Sequence, residues 1–128
     1  ASGFTTLTVR PATVCGYGPR LRLDLTVNIL TSHGYNNKKI TVFGGTQKRP
    51  NIHVDDVTEL YVNMIEYPAA KVAGETFNVG YENFTVSQLA GFVKKTVEEE
   101  FPAKAPITIT TTFGCARATA ALIADGQS

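Results

Sequence analysis

Residues 40–61, ITVFGGTQKRPNIHVDDVTELY, decide the fold class of this chain. Ile40, Val42 and Phe43 carry strand propensity, and Gly44 and Gly45 end the run because glycine reaches backbone angles closed to valine. Lys48 and Arg49 follow, and Pro50 biases the residue before it toward an extended backbone. Asp55 is placed to cap a helix whose Val57, Leu60, Tyr61 and Met64 fall on roughly one face. The stretch therefore reads as strand, glycine turn, cationic loop, extended segment and helix. A lysine and an arginine held between a strand and a capped helix make an anion seat, and guanidinium offers a fork of donors that matches two phosphate oxygens.

Outward from this stretch the same alternation continues. Residues 4–10 (FTTLTVR) read as a strand, and Gly16, Gly18 and Pro19 break regular structure after it. Ligands in open α/β sheets bind at the carboxyl ends of strands, so residues 13–20 are a candidate cleft wall. Residues 21–31 predict a helix, residues 33–37 (HGYNN) a turn, and residues 39–43 the strand already described. Downstream, the helix from Asp55 is expected to reach about Tyr67 before Pro68, with residues 72–74 as a connector and residues 75–79 as a strand. Thr85-Val86-Ser87-Gln88 is a capping box opening a helix to Glu100, with Val86, Leu89, Ala90, Val93 and Val97 as its apolar stripe. Glu98, Glu99 and Glu100 read as a solvated face, and residues 106–112 (PITITTT) as an exposed strand. Residues 1–112 form one unit in this reading, and residues 113–128 are a divergent, alanine-rich tail. The order of elements is that of an α/β protein.

Composition narrows the function. Twelve Lys+Arg against eleven Asp+Glu give a formal charge of +1, which supplies no electrostatic footprint for nucleic acid. No apolar stretch has the length of a membrane span, so a cytoplasmic protein is expected, with Cys15 and Cys115 as free thiols. Asp55 and Asp56 are adjacent and point apart at a helix start, so helix capping is preferred over metal binding. His53 is expected to satisfy a neighbouring carbonyl or a carboxylate such as Asp55. Cys15 lacks a His–Asp pair to activate it and reads as packing. Tyr17, an aromatic beside glycines, can stack on a base or sugar. No G-x-G-x-x-G follows the opening strand.

Three segments in register carry a resemblance: RPATVCGYGPR at residues 10–20, the arginine of GGTQKRPNIHVDD, and TFNVG at residues 76–80 followed by the helix opened by Thr85. Together they resemble the extended short-chain dehydrogenase/reductase family, in its NAD-dependent nucleotide-sugar epimerase/dehydratase branch, which includes UDP-sugar 4-epimerases. The resemblance is to the C-terminal half of that family. It implies an α/β fold that is the C-terminal part of an extended Rossmann-type epimerase, with the last sheet strands and the small substrate-binding region. It also implies that Arg10, Pro11, Ala12 and Thr13 lie beside NAD and the sugar. Arg49 would hold the diphosphate, with Lys48, Thr13, Tyr17 and Asn78 toward the substrate, and His53, Asp55 and Asp56 would be architectural. The family's Tyr-x-x-x-Lys pair is not recovered; Tyr35 and Lys39 have the spacing but stand before a strand. The expectation that follows is a nucleotide-sugar-binding portion, not catalytic alone, completed by an N-terminal Rossmann half or partner chain. Alternatives are a non-catalytic binding protein, or a structural protein that associates through sheet edges, with a homodimer among the outcomes. The nucleotide-sugar reading requires Arg49 to face the cleft wall at the first strand's exit, near Thr13 and Asn78.

Overall fold

The structure is a computed structural model that describes residues 3–112. The expected tail at residues 113–128, with Cys115, lies outside the described residues. In order along the chain come β1 (Thr8–Pro11), β2 (Thr13–Cys15), α1 (Thr26–Asn37), β3 (Lys39–Phe43), β4 (Lys48–His53) and α2 (Val54–Asn63), which a 3-10 turn extends through Met64–Glu66. Next are a four-residue helix α3 (Ala69–Val72), β5 (Thr76–Val79), β6 (Glu82–Thr85), α4 (Val86–Glu100) and β7 (Thr108–Thr112).

The strands pair as three small ladders. β1 runs parallel to β5, β3 runs parallel to β7, and β4 lies between β2 (parallel) and β6 (antiparallel). β1 and β2 are one extended run divided at Ala12. The first half pairs with β5, the Ala12 amide still donates to the Val79 carbonyl at 2.6 Å, and the second half pairs with β4. That exchange of partners places the carboxyl ends of β1 and β5 beside β4.

One hydrophobic core joins α1, α4, β3 and the lead into β7. Leu30 of α1, Ile40 and Val42 of β3, five residues of α4 and Ile107 are buried together. Ile40 and Ile107 meet beneath Gly34, where a Cβ would stand 3.3 Å from the Ile40 side chain. This overturns the expected turn at residues 33–37, since α1 begins at Thr26 and runs through all five of them. Gly34 is in the helix because the partner packs too closely for a side chain, and the chain turns at Lys38, whose φ is 53°. Residues 21–25 lie ahead of the helix, in which Leu25 is the N-cap.

Other expectations hold with shifted bounds. The strand expected at residues 4–10 forms at its end, as β1, and the capping box forms as read: the Thr85 hydroxyl accepts from the Gln88 amide and the Gln88 side chain accepts from the Thr85 amide. β6 was not anticipated, because Glu82 and Asn83 carry little strand propensity and only pairing with β4 makes the segment extended. α2 is capped by His53, not Asp55: Nδ1 of His53 accepts from the Asp55 amide at 3.3 Å.

Candidate functional site

The three-stranded ladder organises the candidate site. Side chains alternate along a strand, so Arg49, Asn51 and His53 project from one face of β4, and Lys48, Pro50 and Ile52 from the other. The register sets Thr13 beside Asn51 and Cys15 beside His53. Thr13 and Arg49 therefore share a face, and α1 borders it. Two cavities open along this face. The first, about 400 Å³, is lined by Arg49 and Gln47 of the loop and start of β4, Phe43 of β3, and Asp24, Thr26 and His33 before and along α1, among others. The second, about 500 Å³, lies on the other side of α1 and is lined by Cys15, Tyr17, Tyr35 and His53 with several apolar neighbours.

A third cavity, about 420 Å³, opens on the opposite side of β4 at the carboxyl ends of β1 and β5. Arg10, Pro11 and Ala12 meet Asn78 there, with Pro50 and Tyr81 closing it. The structure thus brings Arg10, Pro11, Ala12 and Asn78 together and sets Arg49 apart from them. The single cleft expected to hold Arg49, Thr13 and Asn78 together is corrected, because the pleat sends Arg49 and Pro50 to opposite faces. Arg49 keeps Thr13 as a neighbour on its face, whereas Asn78 belongs to the other opening. The condition set on Arg49 is thus met at Thr13 and fails at Asn78, and a nucleotide-sugar site has to be read from the Arg49 groove and the β1–β5 opening separately. Lys48 pairs with Thr85 at the ladder edge, on the face away from Arg49.

The glycine loop does more than lead into the cationic residues. Gly45 (φ 93°) donates its amide to Gln47 Oε1 at 2.8 Å and accepts from the Ser87 amide, while Gln47 accepts from the Val86 amide through its carbonyl. First-turn amides of α4 are therefore satisfied by loop carbonyls, and the loop is fixed where it presents Arg49. Among the residues of the Arg49 groove that sequence reading did not single out are Asp24 and Phe43. Phe43, 66% exposed, had a visible signal, an aromatic at the carboxyl end of a strand just before a glycine turn.

Charges near the groove are organised. Arg22 donates to both Asp24 oxygens, from Nε at 3.1 Å and from the terminal nitrogen at 2.6 Å. That hydrogen-bonded guanidinium holds the Asp24 carboxyl below the usual carboxylate range, and the carboxylate in turn raises Arg22. Arg49 is in none of the ion pairs found among the described residues. Burial pushes the Cys15 thiol up, so the thiolate needed for nucleophilic work is suppressed; its Sγ lies 3.5 Å from the Ile52 carbonyl. His53 Nδ1 accepts the Asp55 amide, which leaves the neutral ring's proton on Nε2, against Gly16. The Asp55 carboxylate lies 3.4 Å from the same Nδ1, a contact that becomes an ion pair only with His53 protonated. Asp55 and Asp56 occupy the first turn of α2, where the helix dipole favours them. Tyr35 is on α1 while Lys39 opens β3, so they share no helix face; the Tyr35 ring stacks edge-on with Phe101 and lies under the Lys104 amine. The described residues include no helix long and apolar enough to cross a membrane.

Short parallel pairings with helices between the strands define an α/β protein, and open cavities lie at the carboxyl ends of its strands, where ligands of such folds bind. The model of the NAD dependent epimerase/dehydratase family matches residues 1–80, and the chain belongs to that family. Among solved structures, it is similar to the PbgP3 protein from Burkholderia pseudomallei, with 25% identity, a TM-score of 0.67, and coverage of 86% of this chain and 36% of that one. It is also similar to UDP-glucuronic acid 4-epimerase from Bacillus cereus in complex with NAD (26% identity, TM-score 0.62, 82% and 32% coverage). In complex with UDP-glucuronic acid and NAD, the Bacillus cereus enzyme aligns at 22% identity with a TM-score of 0.62, covering 95% of this chain and 40% of that one. This chain spans about a third of the length of the structures it matches.

These matches correct four expectations. The likeness is not confined to a C-terminal half, since the family match begins at residue 1 and the structural matches take in most of the chain. The Rossmann-like α/β epimerase fold is likewise matched over residues 1–80 by the family model and over 86% of the chain by the PbgP3 structure, in place of the last strands and a small substrate region alone. With that basis gone, so is the expectation of a binding portion not catalytic by itself, and with it the alternative of a binding or structural protein pairing through sheet edges. The required N-terminal Rossmann half or partner chain falls for the same reason.

Proposed function

We propose that this chain serves NAD-dependent epimerase or dehydratase chemistry on a nucleotide-linked sugar, with the Arg49 groove as the seat of its nucleoside diphosphate. The observation that carries the reading is the pairing of an exposed guanidinium and an exposed aromatic ring, Arg49 and Phe43, on the walls of one cavity of about 400 Å³. Arg49 grips the diphosphate through paired N–H donors, Phe43 offers its face to the base, and Thr13, further along the same sheet face, meets the sugar. Lys48, on the opposite face of β4, adds positive charge only at a distance, and Tyr17 offers a stacking surface at the second cavity. A UDP-sugar is the substrate class taken for the test, by analogy with the UDP-glucuronic acid 4-epimerase to which the chain is similar.

NAD is the cofactor of the family, and at the exit of β1 and β5 the residues fit one end of it. Ala12 and Gly80 are small and close there, with a Gly80 Cβ position only 3.3 Å from the Ala12 Cβ, and Arg10 and Asn78 supply polar edges. Such a site suits a flat amide-bearing ring; the described residues carry no glycine-rich strand–helix turn for the pyrophosphate. When bound, NAD supplies the hydride acceptor, and the chain's own part there is to orient the ring and border it with apolar atoms.

Calorimetry of the 128-residue chain with UDP, a UDP-sugar and NAD, alongside NMR of UDP-sugar turnover, tests the reading. Replacing Arg49 by Gln is expected to weaken UDP-sugar binding by about 10- to 100-fold, the worth of a charge-assisted pair. Equal affinity of wild type and R49Q for the UDP-sugar would remove the diphosphate from this groove.

A further inference from the structure

The Arg49 groove also holds a carboxylate, an unexpected wall for an anion site. Asp24 lines the cavity with Arg49, yet both of its oxygens are engaged by Arg22. We propose that the Arg22–Asp24 pair sets the charge of this groove and so selects its ligand, Arg22 being a positioning residue that neutralises a carboxylate otherwise opposed to the diphosphate. The inference rests on the proposed function, because it concerns the same groove.

The geometry favours a charge role over a merely structural one. Both side chains are exposed, at 69% and 65%, where an ion pair adds little to folding. The residues are two apart in the segment ahead of α1, and this segment is tied down independently: Asn28 donates to the Arg22 carbonyl at 2.9 Å and accepts from the Gly16 amide. Removing the pair's charges therefore leaves the segment's backbone anchor in place. With Arg22, Asp24 and Arg49 the local charge is +1. It falls to 0 in Arg22→Gln, rises to +2 in Asp24→Asn, and returns to +1 in the double variant. Asp24 also gives the groove a preference. A free lone pair on a neutralised carboxylate accepts from a sugar or ribose hydroxyl, groups that inorganic pyrophosphate lacks.

Titration calorimetry of the full chain with inorganic pyrophosphate and with UDP at low and at physiological ionic strength supplies the test. Each unit of charge is expected to change pyrophosphate affinity by roughly three- to tenfold at low salt, and less at high salt. R22Q should bind more weakly, D24N more tightly, and R22Q/D24N like wild type, while circular dichroism shows all of them folded. For UDP, D24N should gain less than it does for pyrophosphate, because a hydroxyl acceptor is weakened as the charge is removed. If D24N binds pyrophosphate no better than wild type, or the double variant stays as weak as R22Q, the inference fails. The diphosphate reading stands in that case provided R49Q still loses binding. Absence of pyrophosphate and UDP binding in wild type overturns both.

Discussion

Gly45 and Arg49, four residues apart, answer to different physics. Gly45 has a φ of 93°, and a Cβ there would collide with Ser87 Oγ. Its amide and carbonyl are both committed, to Gln47 and to Ser87, so the backbone cannot relax without loosening the start of α4. Gly45→Ala is expected to destabilise the fold by about 1–3 kcal/mol, read as a lower urea midpoint at unchanged slope. Arg49 is exposed and in no ion pair among the described residues, so R49Q should move stability by less than about 0.5 kcal/mol while it weakens UDP-sugar binding. A parallel loss of both in R49Q would mean that the arginine supports the fold and that its ligand role was misassigned.

At the scale of elements, α4 is secured at both ends by side chains whose partners lie in other segments or in its own cap. At its start, Thr85→Ala should cost about 1 kcal/mol through loss of the reciprocal cap, and thermal unfolding will register it. At its far end, Glu98 proves to be more than the solvated face its sequence implies. One of its oxygens accepts from the Ile107 amide at 2.6 Å and from Lys94 Nζ at 2.9 Å, and Lys94 also donates to the Ile107 carbonyl. The Ile107 amide first, then Lys94, hold the Glu98 carboxyl below the ordinary glutamate range. A folded-state value below the unfolded one means the stabilisation is present above the unfolded value, near 4.3, and is lost as pH falls through the folded value. Wild type should therefore lose stability on acidification through and below that range, and Glu98→Gln should flatten this limb in pH-dependent urea melts; an unchanged limb would exclude Glu98 as its source. The contrast shows what the sequence discloses. Thr85 and Gln88 are three apart, so their cap was legible. Glu98 and Ile107 meet only because the chain folds back after α4, and Gly34 read as a turn because its packing partner, Ile40, comes from the following strand. The groove was half legible: Arg49 stood out by its charge, whereas its separation from Asn78 depended on the pleat of β4 and on where β1 changes partners.

Across the whole molecule, burial is lopsided. α1, α4, β3 and the lead into β7 enclose the apolar core, whereas the described residues leave the β1–β5 ladder without cover; Phe77 is 44% exposed and none of its eight paired residues is buried. Parallel pairings normally lie beneath other layers, so this ladder is held by its backbone hydrogen bonds with little burial to support them. Local opening free energies follow such differences. Hydrogen exchange should find the amides of β3 and α4 slowest, and those of β1 and β5 faster by roughly a hundredfold or more. The cofactor and substrate readings make separate predictions on the same map: NAD should slow exchange at β1 and β5, where Arg10, Ala12 and Asn78 lie, whereas UDP should slow it at β4 and the start of α1. Protection of both regions by UDP alone would join the two openings into one site. Protection of neither by its assigned ligand would detach the family's chemistry from both cavities, leaving the fold unaffected because its core lies elsewhere.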